Sequence, residues 1–131
     1  MTVKRWGILV FVSSSLIATA FPKDLKLTKK AGGYEVEIII DKNPPILGDN
    51  KIEIAIKDAG GIPITDAKVL VNYYMPPMPR MAPMNYRTKA DLKDKKFRTK
   101  MKFIMAGPWI IAIKITHEGK TSTAKFNVDA R

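Results

Sequence analysis

Residues 96–105 change character at almost every step. Phe97, Thr99, Met101 and Phe103 fall on one parity, and Lys96, Arg98, Lys100 and Lys102 on the other. A period of two is the repeat of a β-strand, whose side chains alternate between faces; a helix would scatter these lysines all round its surface. Residues 34–40 repeat the pattern, with Tyr34, Val36, Ile38 and Ile40 set against Glu35 and Glu37. So do residues 51–58, with Ile52, Ile54 and Ile56 inward, and residues 109–116, with Trp109, Ile111, Ile113 and Ile115 inward. Weaker alternation spans residues 67–74, with Val69, Val71 and Tyr73 inward, and residues 122–128, with Ala124, Phe126 and Val128 inward. Residues 25–28 and 86–90 read as short strands.

Turn signals separate these runs: Lys29 to Gly33, Asn43-Pro44-Pro45, Gly48-Asp49-Asn50, Ala59 to Pro63, Lys93-Asp94-Lys95, Ala106-Gly107-Pro108 and Glu118-Gly119. No helical period appears after residue 20. Seven or eight short strands at this spacing predict an all-β chain, an immunoglobulin-like antiparallel β-sandwich. The expected core includes Ile38, Ile54, Val71, Phe103, Trp109, Ile111 and Ile113.

The first 20 residues carry a different signal. Lys4 and Arg5 precede an uncharged apolar run over residues 6–20, which ends in Ala18-Thr19-Ala20 before Phe21-Pro22. This is the pattern of a secretory signal peptide, 1–20, ahead of a domain over 21–131. The run is short for a membrane span, which needs about 20 apolar residues; left uncleaved, it would act as an anchor. The expected location is periplasmic or otherwise extracytoplasmic. The net charge of +11 suits an anionic partner. Outside the cytoplasm that partner is an anionic membrane surface or a wall polymer rather than nucleic acid. The stripe Lys96, Arg98, Lys100 and Lys102 is the candidate contact for anionic lipid headgroups or an acidic partner, and the alternative is a solvated outer face.

Catalytic constellations are scarce. The chain has no cysteine and one histidine, His117, so thiolate chemistry has no material, and neither a zinc site built on histidines nor a hydrolase triad is expected. His117 falls at a strand end, where a locally hydrogen-bonded role outweighs ligation. The expectation is a non-enzymatic protein.

One stretch breaks the alternation. Residues 75–84 read Met-Pro-Pro-Met-Pro-Arg-Met-Ala-Pro-Met, with Met75, Met78, Met81 and Met84 three apart. The prolines bar a helix and disfavour a central strand. In straight polyproline II, at about 3.1 Å per residue, the four thioethers would line one edge roughly 9 Å apart. Two or three sulfurs would then reach one ion, and all four only if the loop bends. Thioether sulfur is soft and neutral and suits Cu(I). Met75, Met78, Met81 and Met84 are therefore candidate ligands, with Met101 and Met105 as contributors from a neighbouring strand. Methionines also fill gaps and build adaptable contact surfaces, so packing or partner contact stands beside the metal reading.

The ordered set Gly33-Tyr34-Glu35-Val36, Pro44-Pro45-x-x-Gly48-x-Asn50, Asp58-Ala59-Gly60-Gly61-x-Pro63, Asp66-Ala67-Lys68-Val69, Met75-Pro76-x-Met78 and Met105-Ala106-Gly107-x-Trp109 resembles the YtkA-like domain family, related to the periplasmic part of FixH proteins. The resemblance covers about residues 32–115. It implies an exported or membrane-tethered immunoglobulin-like sandwich. Relatives occur alongside heavy-metal efflux or cytochrome oxidase assembly, which implies an accessory role in copper handling or efflux and a copper-handling, efflux or oxidase-assembly protein as partner. The alternative is an envelope protein-interaction module without metal.

Overall fold

The computed structural model describes residues 23–131, so the signal peptide expected over residues 1–20 lies outside the described residues. Eight strands follow one another: β1 (Leu25–Ala31), β2 (Tyr34–Ile40), β3 (Gly48–Lys57), β4 (Lys68–Tyr74), β5 (Asn85–Lys93), β6 (Lys96–Phe103), β7 (Gly107–His117) and β8 (Lys120–Ala130). All pairings are antiparallel, in the order β1-β2-β3-β6-β5-β4-β7-β8. No helix among the described residues is long and apolar enough to cross a membrane.

The ladder folds on itself because β5 changes partner along its length. Its first part pairs with β4, from Asn85 opposite Tyr74 to Ala90 opposite Val69. Its last three residues, Asp91, Leu92 and Lys93, pair with β6. One layer is thus β1-β2-β3-β6 and the other β5-β4-β7-β8, called sheets A and B below. The two layers meet again where Lys29 Nζ donates to the Lys125 carbonyl at 2.9 Å, across the seam between β1 and β8. The result is a nearly closed β-sandwich.

Hydrophobic alternation decides which side of each strand faces inward. All seven expected core residues are buried, Trp109, Ile38, Ile54, Val71, Ile111 and Ile113 completely. Three tight hairpins join neighbours through turns with positive φ at both central residues: Gly32-Gly33, Asp94-Lys95 and Glu118-Gly119. That turn type matches the natural strand twist.

Several boundaries differ from the sequence reading. β1 runs on to Ala31, because Lys29 and Lys30 pair with β2 at a sheet edge and do not start the turn. β5 extends to Lys93 as it transfers to β6. β6 stops at Phe103, the last residue with a partner on β3, which leaves Ile104 exposed and Met105 outside the ladder.

Two motifs of the family resemblance gain a physical meaning. Asn50 is fully buried, and its side chain holds the preceding loop: Oδ1 accepts from Ile46 N at 3.0 Å, and Nδ2 donates to the Ile46 and Gly48 carbonyls at 2.8 and 3.2 Å. The C-terminus zips onto that loop through Arg131 N to the Pro45 carbonyl at 2.9 Å and Leu47 N to the Arg131 carbonyl at 3.2 Å. At the other end, Asp58 Oδ1 accepts from Gly60 N and Ile62 N at 2.9 and 3.0 Å. This is an Asx-type turn, and it needs the positive φ of Gly61.

Candidate functional site

β4 and β5 lead into and out of the methionine loop at one end of the sandwich. Their ladder ends at Tyr74 opposite Asn85, and a further rung follows, Met75 N to the Met84 carbonyl at 3.2 Å. Pro76 and Pro77 then remove the N–H groups that a longer ladder would need. At the tip, Met81 N donates to the Met78 carbonyl at 3.3 Å. Pro79 and Arg80, the latter with φ 66°, form the corner of a type II turn. The loop is therefore a bent hairpin, which overturns the straight polyproline II expectation. Met75 faces Met84 across the base, and Met78 faces Met81 across the tip.

Between the two rungs lies a small cleft of about 20 Å³. Its walls are Met75, Met78, Met81 and Met84 together with Pro76, Pro77, Ala82 and Pro83. That volume is about what one water-sized particle needs. Burial is graded around it. Met75 is buried at the base, Met78 and Met84 are half-buried against the core, and Met81 is 37% exposed at the mouth. Gly107 keeps the base open: a Cβ there would lie 3.1 Å from the Met75 methyl, and its φ of 127° also favours glycine.

The loop stands on an aromatic floor. Tyr73 and Tyr86, opposite each other on β4 and β5, stack at 5.5 Å. Phe103 and Trp109 lie 5.0 Å apart beneath them, and Tyr73 also meets Phe103 edge-on at 5.8 Å. Trp109 Nε1–H donates to the Met105 carbonyl at 2.8 Å, so Met105 fixes the indole through its backbone. Met105 is half-buried and Met101 completely buried on β6, opposite Asn50; neither borders the cleft. The structure thus brings together four of the six candidate methionines.

His117 lies at the opposite end of the sandwich, at the close of β7. The Tyr34 hydroxyl donates to its Nδ1 at 2.8 Å, and its Nε2–H donates to Asp66 Oδ1 at 2.9 Å. Both ring nitrogens are occupied and the ring is buried, a local clamp between β2, β7 and the segment that precedes β4. Tyr34 and Asp66 as its partners were not readable from sequence, because 83 and 51 residues separate them from His117. Among the described residues, no three His, Asp or Glu side chains gather into a metal-holding group.

The basic stripe on β6 is partly matched by acids. Glu53 on β3 lies 3.6 Å from Lys96 and 3.8 Å from Arg98. Lys102 pairs across the ladder with Asp49, and Lys100 with Lys51.

The sequence profile of the YtkA-like family matches residues 28–114. The chain belongs to the YtkA-like family. The matched span runs from β1 into β7 and contains the whole methionine loop. Among solved structures, the soluble domain of PmoD from Methylocystis sp. ATCC 49242 superimposes with a TM-score of 0.58 at 16% identity, over 79% of this chain and 96% of that one. At that identity the likeness concerns the fold: this YtkA-like domain and the PmoD soluble domain share a β-sandwich. No curated protein matches the chain.

Proposed function

We propose that this YtkA-like domain is an extracytoplasmic, non-enzymatic accessory domain that carries Cu(I) on its methionine loop. One observation carries the reading: the two rungs of the loop bring Met75, Met78, Met81 and Met84 around a single cleft. The donor set fits the ion. Thioethers are neutral and soft, need no deprotonation, and favour Cu(I) over zinc, magnesium or calcium. Met81 at the mouth gives an ion a route in and out, which suits transfer rather than storage.

A second reading keeps the loop as an apolar contact surface without metal. Ile46, Leu47, Met81 and Ile104 are exposed large apolar side chains on loops at one end of the sandwich, which suits contact with a partner.

A competition titration with a Cu(I) chelator separates the two. Replacing Met75 and Met78 together by Leu keeps size and apolarity while removing two sulfurs. The expected result is binding by the native protein and a loss of at least about tenfold in the double variant, equivalent to 1.4 kcal/mol. Unchanged affinity, or no binding by the native protein, leaves the contact-surface reading in place.

A further inference from the structure

The strongest unexplained surface lies away from the loop's interior, on the outer face of sheet B. The register lines up one row across four strands: Arg87 on β5 opposite Asn72 on β4, Asn72 opposite Ala112 on β7, and Ala112 opposite Lys125 on β8. Both ends of the row are cationic, and the middle is an amide beside a small methyl group. Ala112 between larger neighbours leaves a concavity of about 360 Å³, whose lining adds Leu70, Lys114 and Tyr74. That is the size range of ligand sites.

Three features set this groove apart. Its lining contains no carboxylate, and none of Arg87, Lys114 and Lys125 makes an ion pair among the described residues. The nearest acids on that face, Asp129 on β8 and Asp91 on β5, each lie two rows away. Asn72, which lines the groove, carries the one buried side-chain oxygen among the described residues without a hydrogen-bond partner. A protein gains nothing in stability from gathering like charges around an unsatisfied amide.

We propose that this groove docks an extended acidic peptide segment of a partner protein. The spacing supports a peptide over a small anion or a lipid surface. Strands lie about 4.8 Å apart, so Arg87 and Lys125 are separated by roughly 14 Å of backbone. One phosphate does not span that distance. In an extended peptide, carboxylates four residues apart lie on one face about 13 Å from each other. Such a segment crosses the strands with one carboxylate on Arg87, the other on Lys125, and its backbone over Asn72 and Ala112. Lys114, opposite Leu70 in the next row, meets an acid between them. A flat headgroup layer does not fill a concave floor. The groove ends at Tyr74 and Asn85, the residues that flank the methionine loop, so a docked partner lies beside that loop. The proposal is independent of whether the loop binds metal.

Two capped pentapeptides test it, Glu-Ser-Ser-Ser-Glu and Glu-Glu-Ser-Ser-Ser, titrated into the protein at low salt and followed by amide chemical shifts. The spaced peptide is expected to bind more tightly and to move the Asn72 and Ala112 signals. Arg87→Glu combined with Lys125→Glu is expected to weaken it by at least about tenfold, while Lys100→Glu with Lys102→Glu on sheet A changes it less than about twofold. These are exposed positions, so the variants fold, and their thermal midpoints verify it. Equal binding of the two peptides, equal loss in both variants, or complete displacement by equimolar inorganic phosphate overturns the proposal. So does binding to anionic phospholipid vesicles that depends on the same two residues.

Discussion

The His117 cluster and the methionine loop, at opposite ends of the sandwich, hold their shape by opposite means. At the His117 end, side chains do the fixing: Tyr34, His117 and Asp66 form a hydrogen-bonded line that occupies both ring nitrogens. At the methionine end, two backbone rungs and four prolines shape the loop, and the side chains inside it have no hydrogen-bonding duty. A polar cluster whose members satisfy one another has little left to offer a ligand. A cluster of thioethers held in place by its backbone keeps its donor atoms free. The lone histidine, the most familiar metal ligand in the chain, is therefore the less available one.

The largest expected effect tests what supports the methionine end. Trp109 is fully buried beneath the loop, within contact distance of Tyr73, Tyr86 and Phe103. Trp109→Ala is expected to lower stability by about 3–5 kcal/mol in urea unfolding. A nearly unchanged midpoint would mean that the aromatic floor is not what holds this end.

Next comes the polar end. His117→Ala strands the Tyr34 hydroxyl and is expected to cost about 1–3 kcal/mol. Cu(I) affinity should stay within about twofold of the native value, since the ring is at the far end from the loop. Loss of Cu(I) binding in this variant would erase the contrast between the two ends.

The methionine pair should show the reverse profile. Met75→Leu with Met78→Leu is expected to change stability by less than about 1.5 kcal/mol, because volume and apolarity are retained. Its Cu(I) affinity should fall as described above. A large stability loss with unchanged affinity would recast the loop as packing.

Much of this comparison was legible in the sequence, and the gaps have physical causes. Alternation identified the inward faces of β2, β3, β6 and β7, since a strand with one buried face must repeat every second residue. It failed for the end of β5, where Asp91, Leu92 and Lys93 leave one sheet for the other without a turn residue to mark the transfer. It failed for Lys29 and Lys30 in β1, whose charges suit an edge strand and a turn alike. The methionine cluster was visible as a spacing, but its bend was not, because Arg80 occupies a positive-φ corner where glycine is the usual signal. The basic row on sheet B was invisible: its members come from four strands and become neighbours only once register is known. The stripe on β6 was conspicuous because it is local, yet Glu53 answers part of it.

The smallest effect concerns a charge at the methionine end. Asp41 follows β2, and its carboxylate accepts Lys51 N at 2.9 Å and Lys42 Nζ at 3.0 Å. Partial burial pushes its pKa up, but the Lys42 and Lys51 hydrogen bonds outweigh that, and the net result lies below the ordinary value of 3.8. A carboxyl whose folded pKa is depressed contributes stability above its unfolded pKa, and the contribution is lost as pH falls through the folded value. The full contribution is therefore present at neutral pH and fades below about pH 4. With its side chain 35% exposed, solvent screens much of the Lys42 pairing, and the effect is modest. Asp41→Asn is expected to lower the unfolding midpoint slightly at pH 7 and to approach the native protein at acid pH, as the depressed carboxylate takes up its proton. If Asp41→Asn and the native protein keep the same separation at neutral and acid pH, the carboxylate's charge is not what ties the end of β2 to β3. The neutral hydrogen-bonding geometry of the side chain then does so, as the buried amide of Asn50 does for the loop that follows.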